Sequence, residues 1–389
     1  MVKDIMLNKN KITSYMIVVS VVFLFFFDIR PYFLWSTNLF FIKFFSCFFI
    51  LSVIINNKLN LSIKNIVSLF IFILISCLYA ISSNGIDTVS LSFILVVCLY
   101  ILIPDSTKQK IFIAISNIYI LFSTISLFTF FYVYITDSQS FSLIEPLNSV
   151  KTLPYRNYFF LVTPSEFGLR DFRFSGVFDE PGVVGTLSAL FLANDKIYNN
   201  KYKRVILILS GLVSMSLAFY ILIIVLFFFK NYKVILITFL SIVLLFPVIK
   251  SIGDGNIIFE RFVIQRIDNL FTSTEKVNNR QSSQFEVVYN DFFNADQFYL
   301  GNGIGQASLI DPEGFSYTHT IYDNGLLFFI LVNFYIGYCL FVGRLTLKQS
   351  LKCFVLLSLA LLQRPYYTNI CMYVILFGYV SDTDELSEK

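Results

Sequence analysis

Residues 169–185 read LRDFRFSGVFDEPGVVG and crowd Arg170, Asp171, Arg173, Asp179 and Glu180 into one short run that ends at Pro181. An arginine's planar fork grips a phosphate or diphosphate through two parallel charge-assisted hydrogen bonds. A carboxylate such as Glu180 can take a proton from a hydroxyl; equally, it can cap the helix that follows or brace Arg173. Pro181 suits a first helical position. There the N–H groups of Gly182 and Val183 are expected to point outward, and a helix start of this kind attracts anions. A second polar segment runs over 280–323. It carries Arg280, the turn Tyr299-Leu-Gly301-Asn-Gly303-Ile-Gly305, Tyr317 and His319, the single histidine of the chain. An imidazole at this point can exchange a proton near neutral pH; it can also be a satisfied polar residue at a loop–helix junction.

Arg173 and Arg280 lead the candidates for anion binding, followed by Arg170, Arg261 and Arg266. Each has local acids, such as Asp171 or Asp268, that can neutralise it instead. The GNGIG glycines have no strand–helix unit around them, so they read as a tight turn bringing backbone close to a neighbour, not as a nucleotide fingerprint. Asp179 beside Glu180 is the place where a magnesium ion would sit, but paired acids at a helix start are commonly caps. One histidine cannot build a zinc site, and no metal or cofactor is expected. Tyr155, Tyr158, Phe159, Tyr317 and Tyr322 offer aromatic faces for stacking or for packing.

The elements that position these residues are long and apolar. Of 389 residues, 57% are hydrophobic and 14% charged, against about 25% charged in soluble domains. The apolar residues come in runs of membrane-spanning length. The fold class is therefore an all-α polytopic membrane protein, a single domain over 1–389. The six cysteines all lie in apolar runs without metal-ligand spacing and read as small buried hydrophobes. The run 12–27 looks like a signal peptide but lacks a small-residue cleavage site, so it is expected to be retained.

Short cytoplasmic loops collect Lys and Arg. The clusters Lys3/Lys9/Lys11, Lys58/Lys64, Lys108/Lys110, 196–204, Lys230/Lys233 and Arg344/Lys348/Lys352 all fall inside only if 205–229 crosses twice. One helix would fit 205–229 comfortably, but its middle, SGLVSMS, is small and hydroxylated and also suits a tight bend between two short helices. The count is then about twelve spans with both termini cytoplasmic. Two large loops, 136–180 and 250–318, lie outside and carry short amphipathic helices. Phe259, Phe262, Val263, Ile267 and Leu270 fall at helical spacing, as do Phe285, Val288, Tyr289 and Phe292. A transporter would place polar groups at the bilayer midplane; here the spans are nearly free of charge, Lys43 excepted.

The pattern Arg173-Phe-Ser-Gly176-Val-Phe-Asp-Glu180-Pro181 resembles the R-x-x-G-x-x-x-E-P motif of O-antigen polymerases, the Wzy-type members of the O-antigen ligase–polymerase superfamily. The later order of Arg280, the glycine turn and His319 ahead of an apolar run is similar to that family's second outer loop. Thr320 follows the histidine where Asn or Ser is more usual, which puts a helper hydrogen bond in doubt. The resemblance implies a bacterial inner-membrane glycosyltransferase that joins polyprenyl (undecaprenyl) diphosphate-linked oligosaccharides without a nucleotide. It also implies a chain-length regulator and a flippase as partners, and no nucleic acid. On the residues that match, the resemblance points to His319, Glu180, Arg173 and Arg280 for catalysis; Arg170, Arg261, Arg266, Gly182 and Tyr317 are further candidate substrate contacts on their chemistry alone. A ligase-like transferase shares the motifs; a glycolipid transporter is the reading from another class.

Overall fold

The computed structural model describes residues 2–37, 39–56, 59–82, 88–146, 154–165, 173–231, 281–312, 314, 316–343 and 345–381. The chain is mostly helical, and four of the described helices are long and apolar enough to cross a membrane: Ile12–Ile29, Ile63–Ser82, Asp105–Thr136 and Tyr317–Phe341. Shorter apolar helices accompany them. The expectation of an essentially all-α chain holds, but the first large loop differs from its expected short amphipathic helices. The first large loop holds no described helix but a three-stranded antiparallel sheet, β1 (Ser142–Ile144), β2 (Tyr155–Asn157) and β3 (Val162–Pro164). Prolines spaced through this loop break helical hydrogen bonding, and the aromatic and β-branched residues between them favour strands.

The chain divides into two compact units, Met1–Ile118 with Ser282–Lys389, and Tyr119–Gln281. In the first, α1 (Val2–Ile29) packs on α2 (Leu39–Asn56) through stacked rings, Phe23 on Phe45 and Phe27 on Phe41. α3 (Ile63–Ser82) packs on α12 (Tyr317–Phe341), joined by Ser68 Oγ and Tyr335 Oη at 3.0 Å. α13 (Leu347–Gln363) starts at a capping box formed by Thr346 and Gln349. The next helix, α14 (Ile370–Val380), is buried along its whole length. Asp28 of α1 accepts from Asn369 Nδ2 (2.7 Å) and from the Cys371 N–H (3.0 Å). A carboxylate from one helix thus closes the open N-terminus of another, where N–H groups need acceptors. Lys108 lies within α5 (Asp105–Thr136). It is buried, donates to the Ile101 carbonyl (2.8 Å) at the end of α4 (Thr88–Leu102), and pairs with Asp105 (3.1 Å).

Among the described residues, the second unit takes the later part of α5 (Asp105–Thr136), the sheet and four helices. These are α6 (Pro181–Leu192), α7 (Asp195–Asn199), α8 (Lys201–Val213) and α9 (Leu217–Lys230). The SGLVSMS stretch does bend: α8 stops at Ser214, Met215 takes φ 47°, and Ser216 starts α9. The pair is a closed hairpin. At the bend, Phe219 lies over Gly211, and Tyr220 Oη donates to the Leu212 carbonyl (3.1 Å). At the open end, Lys230 Nζ meets Asp195 at 3.1 Å and sits over the Tyr198 ring. Both helices pack on α6. Gly185 of α6 meets Ser216 so closely that no Cβ would fit there.

Candidate functional site

His319 lies in the first turn of α12, in the first unit, and is only 5% exposed. Ser316, Phe285, Asp311 and Gly314 surround its ring. Ser316 Oγ is 3.0 Å from Nδ1, and Thr318 Oγ1 is 2.6 Å from Ser316 Oγ. Phe285 stacks on the imidazole, centroids 4.2 Å apart and planes 15° off parallel. Asp311 Oδ2 stands 3.4 Å from Nε2, at ion-pair distance but outside hydrogen-bond alignment. The same Asp311 oxygen accepts from the Ser282 N–H at 2.9 Å. Gly314 closes the Nε2 edge: a Cβ there would strike both Asp311 Oδ2 and His319 Nε2.

The helices around this ring follow from local sequence. α10 (Ser283–Phe293) starts at Ser282, whose Oγ accepts from the Phe285 N–H (3.2 Å), the usual service of an N-cap serine. Its expected apolar stripe is present, with Phe285 and Phe292 buried against Phe298, Ala307, Ile321 and Tyr322. The stripe covers the head of α12. Burial pushes the Tyr289 phenol on this helix up to about 12, so it stays neutral at physiological pH.

The GNGIG turn has a definite task. α12 is interrupted at Gly325, whose φ of 83° and ψ of 163° are not helical. The break frees two carbonyls that Leu326 and Leu327 would otherwise serve. Asn302 N–H takes the Tyr322 carbonyl (2.8 Å), and Gly303 N–H takes that of Asp323 (3.0 Å). Asp323 returns the contact, accepting from Gly305 N–H (2.9 Å) and Ala307 N–H (2.7 Å) to cap α11 (Gln306–Ile310). Gly301 and Gly325 meet back to back, so a Cβ on either would strike backbone of the other segment. The glycines are a tight turn for close backbone approach, as their spacing suggests. Their neighbour is the helix that carries His319. Tyr317, the first residue of that helix, is half-exposed, with its ring beside Phe329.

The Arg173 segment belongs to the second unit. Residues 173–180 lie between the sheet and the α8–α9 bend. Gly176 takes φ 57°, and its carbonyl accepts from the Val162 N–H (2.9 Å). Ser175 Oγ donates to the Val162 carbonyl. On the other side, Phe174 N–H reaches the Val213 carbonyl (3.3 Å), and Arg173 Nη1 the Met215 carbonyl (3.5 Å). The arginine is thus half-buried at the mouth of the hairpin. Glu180 is the N-cap residue of α6, but its side chain makes no capping bond, and Pro181 occupies the first turn as expected. One expectation fails. The Val183 N–H is not directed outward; it bonds the Glu180 carbonyl (3.1 Å), because the first turn of α6 tightens. Gly182 lies in that first turn, half-buried.

Arg170, Arg261, Arg266 and Arg280 lie outside the described residues, as does the amphipathic pattern from Phe259 to Leu270. Among the described residues no cluster of His, Cys, Asp and Glu could hold a metal ion, and the cysteines are free thiols. Sequence reasoning missed Asp311, Ser316 and the Met215 carbonyl. None carries a motif signal; Asp311 gains its place only because the chain turns at Gly314. Neither a protein family, nor a characterised relative, nor a solved structure matches this chain at a significant level, so the functional reading rests on the residues and their geometry.

Proposed function

We propose that the chain is a bacterial inner-membrane glycosyltransferase that polymerises polyprenyl-diphosphate-linked oligosaccharide repeat units into a surface polysaccharide. One observation carries the reading: the ordered set Arg173, Gly176, Glu180-Pro181 at the head of one apolar helix, then the glycine turn and His319 at the head of another, in a chain otherwise poor in charge. In the reaction, a sugar hydroxyl of one carrier-linked unit attacks the anomeric carbon of another. The bond to the diphosphate breaks, and the hydroxyl proton must leave. Arg173 and Arg280 stabilise the charge developing on the departing diphosphate. Arg170, Arg261 and Arg266 supply further anion contacts, and Gly182 and Tyr317 line the substrate. His319 takes the proton, with Glu180 as the competing base. The sugar–diphosphate bond supplies the energy, so no nucleotide, metal or cofactor takes part.

About twelve spans place loops 136–180 and 250–318 on the outer face and both termini in the cytoplasm. A chain-length regulator and a flippase would work beside the enzyme in the same membrane. The test is deletion of the gene in the bacterium that carries it, with the surface polysaccharide resolved on a gel. A product of single repeats, restored to polymer by the wild-type gene, is the expected result. Polymer left on its lipid carrier would indicate a ligase, and repeats trapped inside a flippase; either would overturn the polymerase.

A further inference from the structure

Both nitrogens of His319 face protein groups, and those groups differ in kind. Nε2 faces the carboxylate of Asp311 at 3.4 Å, Nδ1 the hydroxyl of Ser316 at 3.0 Å. A bare Nε2 would set its lone pair against the negative Oδ2 atom. A proton on Nε2 turns the same contact into attraction. The hydroxyl of Ser316 is indifferent, since it can donate or accept. Asp311 is itself fixed by the Ser282 N–H, and the Phe285 ring and Gly314 close the face and edge of the imidazole. We propose that Asp311 is a positioning residue that holds the His319 proton on Nε2, so that Nδ1 is the basic nitrogen and exchanges protons with substrate only through the Ser316 hydroxyl.

The inference extends the polymerase reading by naming how its base is prepared. The transfer balances. Ser316 Oγ–H gives its proton to Nδ1 and takes one from the acceptor hydroxyl, directly or through Thr318 Oγ1, 2.6 Å away. The acceptor oxygen keeps its electron pair for the bond to the anomeric carbon. Ser316 ends neutral, and the imidazolium that forms lies beside Asp311, where its charge is matched. Nε2 cannot serve instead, because Asp311 and Gly314 close that edge.

His319 is the only histidine in the chain, so a sample carrying ¹⁵N-histidine gives the signals of one imidazole. The purified full-length protein is measured at a pH where that ring is neutral. The expected spectrum has a protonated-type shift for Nε2 and a bare-type shift for Nδ1. In Asp311→Asn an amide N–H can face Nε2, and the proton should move at least partly to Nδ1. A wild-type ring protonated on Nδ1, or an Asp311→Asn spectrum identical to wild type, overturns the proposal. The wild-type spectrum decides even if the variant fails to fold. Polymer formation is the second readout: Asp311→Asn and Ser316→Ala should each lower it by tenfold or more at matched protein level. Wild-type protein that makes no polymer would sink the polymerase reading while leaving the tautomer result intact.

Discussion

An arginine at 173 is useful for its shape as well as its charge. Lysine keeps the charge but loses the bidentate fork. Arg173→Lys should therefore retain little polymerase activity if the guanidinium grips a diphosphate whose charge grows in the transition state. If Arg173 merely braces Glu180 or the Met215 carbonyl, which its Nη1 reaches at 3.5 Å, lysine should serve tolerably. A swapped Arg173→Glu/Glu180→Arg pair should then also restore function. Polymer length at matched membrane levels reads the difference; full-length product from Arg173→Lys would make the residue a brace. His319→Gln fills much of the space on Phe285 and can still bond Ser316, yet cannot shuttle a proton at neutral pH. Polymer formation should fall by ~10²–10⁴ with insertion intact, and near-normal polymer would move the base role to Glu180. His319 was legible as the sole histidine at a loop–helix junction. Asp311 was not, because nothing in the order of residues distinguishes it among 25 acids until the turn at Gly314 brings it against the ring.

The helices and turns show what local chemistry specifies. SGLVSMS was compatible with one helix or with a bend; small and hydroxylated residues let two helices approach, and Gly211 under Phe219 does this. The apolar stripe of α10 was equally plain, because 3.6-residue spacing survives without knowledge of the partner. The sheet was not readable. Its β2–β3 turn has Phe159 at φ 62° and Phe160 at φ 54°, where two-residue hairpins usually carry Asn-Gly. No turn signal marks that site. Phe159 is 68% exposed, so Phe159→Gly loses little burial and removes a left-handed penalty of roughly 1–2 kcal/mol. Its unfolding midpoint in detergent should stay level or rise; a clear drop would mean that the Phe159 ring holds the loop together. The glycine clasp gives the opposite case. Gly325→Ala must move the Tyr299–Leu300 backbone and also strain φ, whereas Gly305→Ala meets nothing within 4 Å and carries only the φ penalty. Gly325→Ala should unfold well below Gly305→Ala, and equal midpoints would remove the clasp as a stabilising contact.

For the molecule as a whole, the side of the membrane on which each loop lies decides whether the two can meet. Charge placement, together with the small SGLVSMS middle, suggested that 205–229 turns back on itself, and α8 and α9 do form a hairpin. Lys230 at the end of α9 lies against Asp195 and Tyr198, just ahead of α8. A chain entering α6 at Pro181 therefore reaches 195–204 at one end, runs through α8 and α9, and returns to that same end at Lys230. A single crossing by 205–229 would have to pull these residues apart. α6, α8 and α9 have 12, 13 and 14 residues, roughly 18–21 Å of helix at 1.5 Å per residue. All three are shorter than a hydrocarbon core of ~30 Å. A shared shortfall suits a locally thinned bilayer or a hairpin that dips in and returns, and either keeps the parity of the chain. One further apolar run, 234–249 in the sequence, would carry 250–318 back to the side of 136–180. Reporter fusions after Ser149 and after Thr274 should therefore give the same extracytoplasmic signal, with a fusion after Lys201 giving the opposite one. Ser149 and Thr274 on different sides would mean that the hairpin does not survive in the membrane, and the proposal that both loops serve one reaction would fall with it.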